Sequence, residues 1–315
     1  MASSFDYDVI VIGSGFGGSV MSCRLSEKGY KVCLLERGKQ YGMWEFPRRI
    51  NEIKEKLIWD PKDGRYGFME VRDYPESDLM SVTASGLGGG SLIYANVLMR
   101  MPEENFTGWP GGINRSTLEP FYQKVIDTME ASPYPIDHPY YNRTPKTHLF
   151  KKVGESLDTP SDALEKPKVI FPDLAIRFKG EFAGHQTENS HGAIQSSCTK
   201  CGECDIGCNI HAKNTLDLNY IFRAKKQKVA AEVKTHALVE SISPLADDTG
   251  YEVIYSDPEN SEKKTKIIAK QVVLSAGSLG STAMLLRMQK EGKLKNLSQC
   301  LGRSGVETEI WKDQF

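Results

Sequence analysis

Apolar and polar positions follow two periods along this chain, and the switches between them mark its elements. Tyr7-Asp8-Val9-Ile10-Val11-Ile12 is a short apolar run that ends in glycines. Apolar on both faces, it predicts a buried parallel strand. From Gly15 to Lys28, the residues Val20, Met21, Arg24 and Leu25 carry helical spacing, and Gly29 stops the helix as a C-cap glycine. Lys31-Val32-Cys33-Leu34-Leu35-Glu36 predicts a second strand.

The pattern then weakens. Residues 40–80, with Trp44, Trp59, Pro61, Gly64 and Pro75, read as loops and short helices. Gly86-Leu87-Gly88-Gly89-Gly90-Ser91 is a glycine-rich loop ahead of the apolar Leu92-Ile93-Tyr94-Ala95. Residues 102–190 are rich in Pro, Tyr and charge. Within them, Ser116 to Ala131 predicts one helix, with Ser116 as N-cap and Glu119 completing a capping box. Asn214 to Lys226 predicts another helix. Val233–Ser243, Tyr251–Ser256 and Thr265–Ile268, separated by polar stretches, predict an antiparallel meander. Lys270 to Gly277 predicts a further buried strand, and Ser281 to Lys290 a helix.

Composition narrows the function. The 315 residues carry 40 basic and 41 acidic side chains, a net charge of -1, so nothing drives the chain toward nucleic acid. At 39% hydrophobic and 26% charged, it has material for a packed core. No apolar run approaches the roughly 18 residues of a transmembrane helix. The polar, acidic start lacks the features of a secretory signal, so a cytoplasmic location is expected.

Gly13-Ser14-Gly15-Phe16-Gly17-Gly18 fits G-x-G-x-x-G in its required context, after a strand and opening a helix. Gly13 permits the tight turn, Gly15 admits a pyrophosphate to the backbone, and Gly18 lets helix and strand pack closely. The helix N-terminus offers oriented N–H groups to the anion. Glu36, about 20 residues on, is placed to accept hydrogen bonds from ribose hydroxyls. The later meander and the Leu274-Ser275-Ala276-Gly277 strand favour FAD over NAD by fold analogy.

Together, Tyr7 to Gly38, Gly86 to Val97, Cys198 to Tyr220 and Val272 to Arg287 resemble the glucose–methanol–choline (GMC) family of FAD-dependent oxidoreductases, most closely its cholesterol oxidase-like branch. The resemblance implies FAD held by Gly13, Gly15, Gly18 and Glu36. It implies that Gly88, Gly89, Gly90 and Ser91 run against the flavin, that Asn96 is a polar contact near it, that Val239 offers backbone to adenine and that Gly277 passes the flavin phosphates. The alternatives are a loop-capping role for Asn96 and a core role for Val239. The implied substrate is a small-molecule alcohol such as a 3-hydroxysteroid, with oxygen or an unknown partner as electron acceptor. The family's C-terminal histidine base has no counterpart, and none of His138, His148, His185, His191, His211 or His236 matches its position. The chain therefore reads as C-terminally truncated, with a catalytically inactive FAD-binding fragment as one alternative.

The expected architecture is α/β: a doubly wound, Rossmann-type FAD-binding domain with a β-meander insertion and a partial α+β substrate or cap domain. The FAD domain is expected to be discontinuous, over residues 1–42, 78–100 and 209–305, with 101–197 as the cap region and 198–208 as a cysteine-rich loop.

That loop opens a further alternative. Cys198-x2-Cys201-x2-Cys204-x3-Cys208 copies a ferredoxin run, except that Asn209 replaces the expected Pro. Three readings stand: a metal-free thiol loop, an iron–sulfur cluster and a zinc site. The second would make the chain an iron–sulfur electron-transfer flavoprotein. Lys200, Lys213 and Arg223 flank the loop and are expected to lower its thiol pKa values.

Overall fold

The computed structural model describes residues 5–74, 79–157 and 169–302. In chain order its main elements are β1 (Tyr7–Ile12), α1 (Phe16–Glu27), β2 (Val32–Leu35), β3 (Met69–Tyr74), β4 (Leu79–Ala84), α2 (Arg115–Thr128), α3 (Pro145–Ser156), α4 (Tyr220–Lys225), β5 (Glu232–Lys234), β6 (Leu238–Pro244), β7 (Tyr251–Asp257), β8 (Asn260–Leu274) and α5 (Gly277–Lys290).

One six-stranded sheet organises them, in the order β5-β2-β1-β8-β7-β6. Strands β5, β2, β1 and β8 run parallel, and β8, β7 and β6 form an antiparallel meander. Side chains alternate across it, as pleating requires. Val9, Val11, Val32 and Leu34 face one core with Cys23 of α1 and Ile221 of α4. Ile10, Ile12, Cys33 and Leu35 face the other with Val239, Val253 and Met284 of α5. The chain leaves β1 toward β2 on one side and returns as β8 on the other. The carboxyl ends of these strands therefore frame a topological switch point, where ligands bind in open α/β sheets.

Five expectations are corrected. First, residues 40–80 are not only loops and short helices, since β3 pairs with β4 in a hairpin running from Met69 to Ala84. Its pattern is inverted: Val71 is 47% exposed while Glu70 keeps only 14% of its side chain exposed. Second, Ser116 does not cap α2. Asn114 does, accepting from Thr117 N–H at 2.9 Å while the Thr117 hydroxyl accepts from Asn114 N–H at 3.1 Å. Glu119 is held by Arg100 and Arg115 instead. Third, only Tyr220–Lys225 of the expected 214–226 helix is α-helical, because Leu216–Leu218 forms a single 3-10 turn and Asn219 caps the α-helical part. Fourth, Val233–Ser243 splits into β5 and β6, with His236 at φ 51° between them, and the last meander segment and the buried strand after it are one 15-residue strand, β8. Fifth, α5 starts at Gly277, a turn before the expected Ser281.

Candidate functional site

A cavity of about 640 Å³ opens at the carboxyl ends of β1, β2 and β8. Two helix N-termini meet there. Gly15 precedes α1 with no side-chain cap, and Ala276 precedes α5, also without one. Uncapped N–H groups at a helix start are donors in search of an anion.

The glycines divide the work. Gly13 turns at φ 94°, and a Cβ there would lie 2.5 Å from the Ser275 carbonyl oxygen. A Cβ on Gly18 would lie 1.9 Å from the Gly13 carbonyl oxygen, so α1 and β1 touch backbone to backbone. Gly15 and Gly277 have nothing within 4 Å on their Cβ side. The space they leave opens into the cavity, so a side chain there would take room from a ligand.

Glu36 lines the cavity and accepts four hydrogen bonds: from Ser14 N–H at 3.1 Å, from the Ser14 hydroxyl, from Gly38 N–H at 3.0 Å and from Gly86 N–H at 3.2 Å. These fill a carboxylate's acceptor sites. The residue expected to meet a ribose also ties the first glycine turn to the second glycine loop. Of its donors, the Ser14 hydroxyl is the one free to rotate away for a ligand hydroxyl.

Seven expected site residues line the cavity: Gly13, Gly15, Glu36, Gly89, Gly90, Val239 and Gly277. Gly18, Gly88, Ser91 and Asn96 are not among its lining residues. Ser91 is fully buried beneath the loop, donating to the Gly88 carbonyl at 2.7 Å and accepting from Leu216 N–H at 3.0 Å. Asn96 sits at φ 60°, and its carbonyl accepts from Ala175 N–H at 2.8 Å.

The structure adds charged residues that no sequence motif marks. Glu70 of the inverted hairpin lies between Arg37 at 2.6 Å and Arg72 at 2.7 Å, and all three line the cavity. Burial alone would raise the Glu70 carboxyl, but the two guanidinium groups hold it below the usual range. Their only sequence signal is the alternation of Glu70 and Arg72 within Met69–Tyr74. Arg287 of α5 donates to the Glu240 carbonyl at 2.8 Å, and its buried Nε–H has no acceptor among the described residues. Asp217, beneath Gly88, likewise keeps a buried oxygen without a donor among the described residues, and burial raises its carboxyl above the ordinary value.

The sequence profile described as GMC oxidoreductase matches residues 7–289. The chain belongs to that family. This GMC chain is 33% identical over 315 residues to a cholesterol oxidase of Acinetobacter baumannii, covering 95% of this chain and 54% of the relative. It is 32% identical over 309 residues to a cholesterol oxidase of Mycobacterium tuberculosis, covering 94% and 50%. A 2-methyl-1,2-propanediol dehydrogenase of Mycolicibacterium austroafricanum is 28% identical, at 97% and 55% coverage. The chain thus spans about half the length of the curated relatives it matches. Among solved structures, an FAD-dependent oxidoreductase from Chaetomium thermophilum superposes with a TM-score of 0.55 at 15% identity, covering 91% of this chain and 49% of that one. That likeness supports the fold.

The cofactor that fits this GMC cavity is FAD. Paired helix starts, glycines with open space and an unpartnered Arg287 donor suit a pyrophosphate-bridged dinucleotide. Among the described residues, no helix is long and apolar enough to cross a membrane.

The four clustered cysteines lie elsewhere, around a small cavity of about 30 Å³. As expected, Lys200 N–H lowers Cys198 and the Lys213 charge lowers Cys204, while Arg223 acts on neither, but the net shift is upward. Burial dominates, pushing the Cys198 thiol up to about 11 and raising Cys204 as well. Arg223 pairs with Glu27 at 2.6 Å, and Lys200 Nζ donates to the Tyr140 carbonyl at 2.6 Å.

Proposed function

We propose that this chain forms the FAD-binding part of an oxidoreductase acting on the CH–OH group of an alcohol, with a 3-hydroxysteroid such as cholesterol as the substrate class. The observation that carries the reading is the cavity at the switch point, with uncapped helix starts and Gly15 and Gly277 opening into it. The family membership and the cholesterol oxidase relatives set the chemistry and the sterol class.

When bound, FAD supplies the hydride acceptor. The chain's own residues bind and orient it. The N–H groups at the starts of α1 and α5 meet the pyrophosphate. Glu36 accepts from a ribose hydroxyl as the Ser14 hydroxyl turns away. Gly89 and Gly90 bring backbone amides to the ring system, with Gly88 and Ser91 shaping that turn from beneath. The Val239 backbone and Arg287 border the adenine end. The binding unit comprises residues 1–42, 78–100 and 209–305, with 101–197 as the substrate-side region.

No residue of this chain is assigned the alcohol's hydroxyl proton, because none of its six histidines lines the cavity. That observation favours a second reading, in which the chain binds FAD without turning over alone.

The test is to titrate purified chain with FAD and then add cholesterol and simple secondary alcohols without oxygen. Bound flavin that bleaches with sterol supports the proposal. Bound flavin that no alcohol bleaches supports the second reading. A chain that binds no flavin overturns both. Readmitting air after bleaching shows whether oxygen is the acceptor.

A further inference from the structure

The cysteine loop lies outside the dinucleotide cavity, and the proposed alcohol chemistry leaves it unused. Its geometry is built. Cys198, Cys201, Cys204 and Cys208 all line one cavity, together with the apolar Ile176, Ile210 and Ala212 and the polar Thr199 and Glu203. The loop is wound by left-handed residues at Lys200 (φ 59°), Gly202 (φ 77°) and His211 (φ 53°), which return the chain toward the same side. At Gly207 the close packing is obligatory, since a Cβ would lie 2.2 Å from the Phe46 ring.

The residue after Cys208 decides where the fourth cysteine goes. In a ferredoxin run of this spacing the fourth cysteine serves a second cluster, and a proline comes next. Here Asn209 takes that place. Its side chain accepts from Phe46 N–H at 2.9 Å and donates to the Phe46 carbonyl at 3.0 Å, while its own carbonyl accepts from Trp44 N–H at 2.9 Å. These bonds fasten the turn to residues 44–46 with Cys208 facing the cavity of the other three. Arg48 fastens the far side, bonding Glu203 at 2.7 Å, the Ile206 carbonyl at 3.1 Å and the Gly207 carbonyl at 2.8 Å.

Two backbone N–H groups point at the sulfurs. Lys200 N–H donates to Cys198 Sγ at 3.3 Å, and Lys213 N–H donates to Cys208 Sγ at 3.4 Å. Hydrogen bonds to sulfur are one means by which proteins tune iron–sulfur centres. Lys213 is fully buried, and its ammonium group donates to the Cys204 carbonyl. A buried cation needs compensating negative charge or dense hydrogen bonding; three carbonyls already accept from Lys213, and thiolates nearby would add the charge.

A single ion is the poorer fit. Zinc needs its sulfurs about 2.3 Å from one point, and among the described residues no group of three Cys, His, Asp or Glu is arranged to hold a metal ion. A four-iron cube spreads its thiolates wider. We propose that Cys198, Cys201, Cys204 and Cys208 ligate one four-iron, four-sulfur cluster. The cavity of about 30 Å³ holds only about two waters, so building the cluster requires the loop to open, and Cys201 is its exposed member. The cluster stands beside the dinucleotide cavity: Lys213 Nζ also donates to the Leu92 carbonyl at 2.9 Å and the Tyr94 carbonyl at 3.3 Å, just beyond the lining residues Gly89 and Gly90.

The test is to purify the full chain without oxygen, offer equal ferrous and ferric iron, sulfide and zinc, and count iron, acid-labile sulfide and zinc per chain. About four irons and four sulfides are expected, with a broad charge-transfer absorption. Both should be lost in C201S and C204S and kept in C300S. Circular dichroism checks that the variants fold; if they do not, the iron and sulfide count of the unaltered chain decides alone. Zinc at one per chain without iron overturns the proposal, as does failure to take up either metal or full iron in a folded C201S. Flavin is counted separately, so flavin without iron sinks the cluster and leaves the FAD reading, while iron without flavin does the reverse.

Discussion

Two glycines of one motif do different physical work, and substitution separates them. Gly18 has no room for a Cβ, because the Gly13 carbonyl is 1.9 Å from where it would sit. Gly18→Ala should cost about 3 kcal/mol of stability by overpacking. Gly15 has only open space on that side. Gly15→Ala should cost less than about 1 kcal/mol while weakening FAD binding at least tenfold. Urea unfolding and flavin titration of both variants check the contrast; equal stability losses would refute it. Glu70 gives a pH prediction. Burial opposes its ionisation, but Arg37 and Arg72 hold its carboxyl below the usual value. Its contribution is therefore complete above the ordinary glutamate pKa of about 4.3 and disappears as pH falls through the lower folded value. Glu70→Gln should lose about 1–2 kcal/mol at neutral pH, and its deficit should shrink toward acid. Urea midpoints of both proteins across that range test this, and a deficit independent of pH would count against it. The glycine motif and Glu36 are legible in sequence because their sterics and spacing are local. Glu70 is not, because its charge is buried only by a hairpin that folds onto the cavity.

At the level of single elements, the start of α2 shows how two local rules compete. Ser116 and Glu119 satisfy a capping pattern, yet Asn114 and Thr117 close the box. Arg100 and Arg115 take Glu119 at 3.0 and 2.9 Å. Asn114→Ala should therefore cost about 1 kcal/mol and Ser116→Ala less than about 0.5 kcal/mol, measured by thermal unfolding. The hydropathy pattern divides β8 in two because its first part is polar. That part forms the outer end of the meander with its side chains largely exposed, where polarity does not signal a loop. Cross-strand ion pairs hold it: Lys264 to Glu240 at 2.6 Å and Lys266 to Glu252 at 2.5 Å.

In the molecule as a unit, β8 couples the parallel and antiparallel halves of the sheet. Ala269 lies opposite both Tyr7 of β1 and Tyr251 of β7, and it is fully buried. A Cβ on Gly250 would come within 2.4 Å of its carbonyl. Ala269→Leu should overpack this junction by about 1–3 kcal/mol and lower a single unfolding transition rather than split it in two, as calorimetry would show. FAD should stabilise the opposite, carboxyl end of the same strands, where Ile12, Leu35 and Ser275 line the cavity. Removing it from chain held at 100 times the dissociation constant should lower stability by about 2.7 kcal/mol, read as a drop in melting temperature on gel filtration into cofactor-free buffer.

The β1–α1–β2 unit, its pyrophosphate turn, the acid that ends it and the cysteine run are all written in the residue order. Each depends on periodicity, spacing or the absence of a Cβ within a few residues. Only the folded chain brings Gly15 and Gly277 onto one cavity, lets Glu36 fasten two glycine loops, and sets an arginine–glutamate cluster from a separate hairpin beside the same space. The return of Cys208 to its three neighbours is also a property of the fold, because the bonds that turn it run from Asn209 to Trp44 and Phe46, more than 150 residues away in the chain.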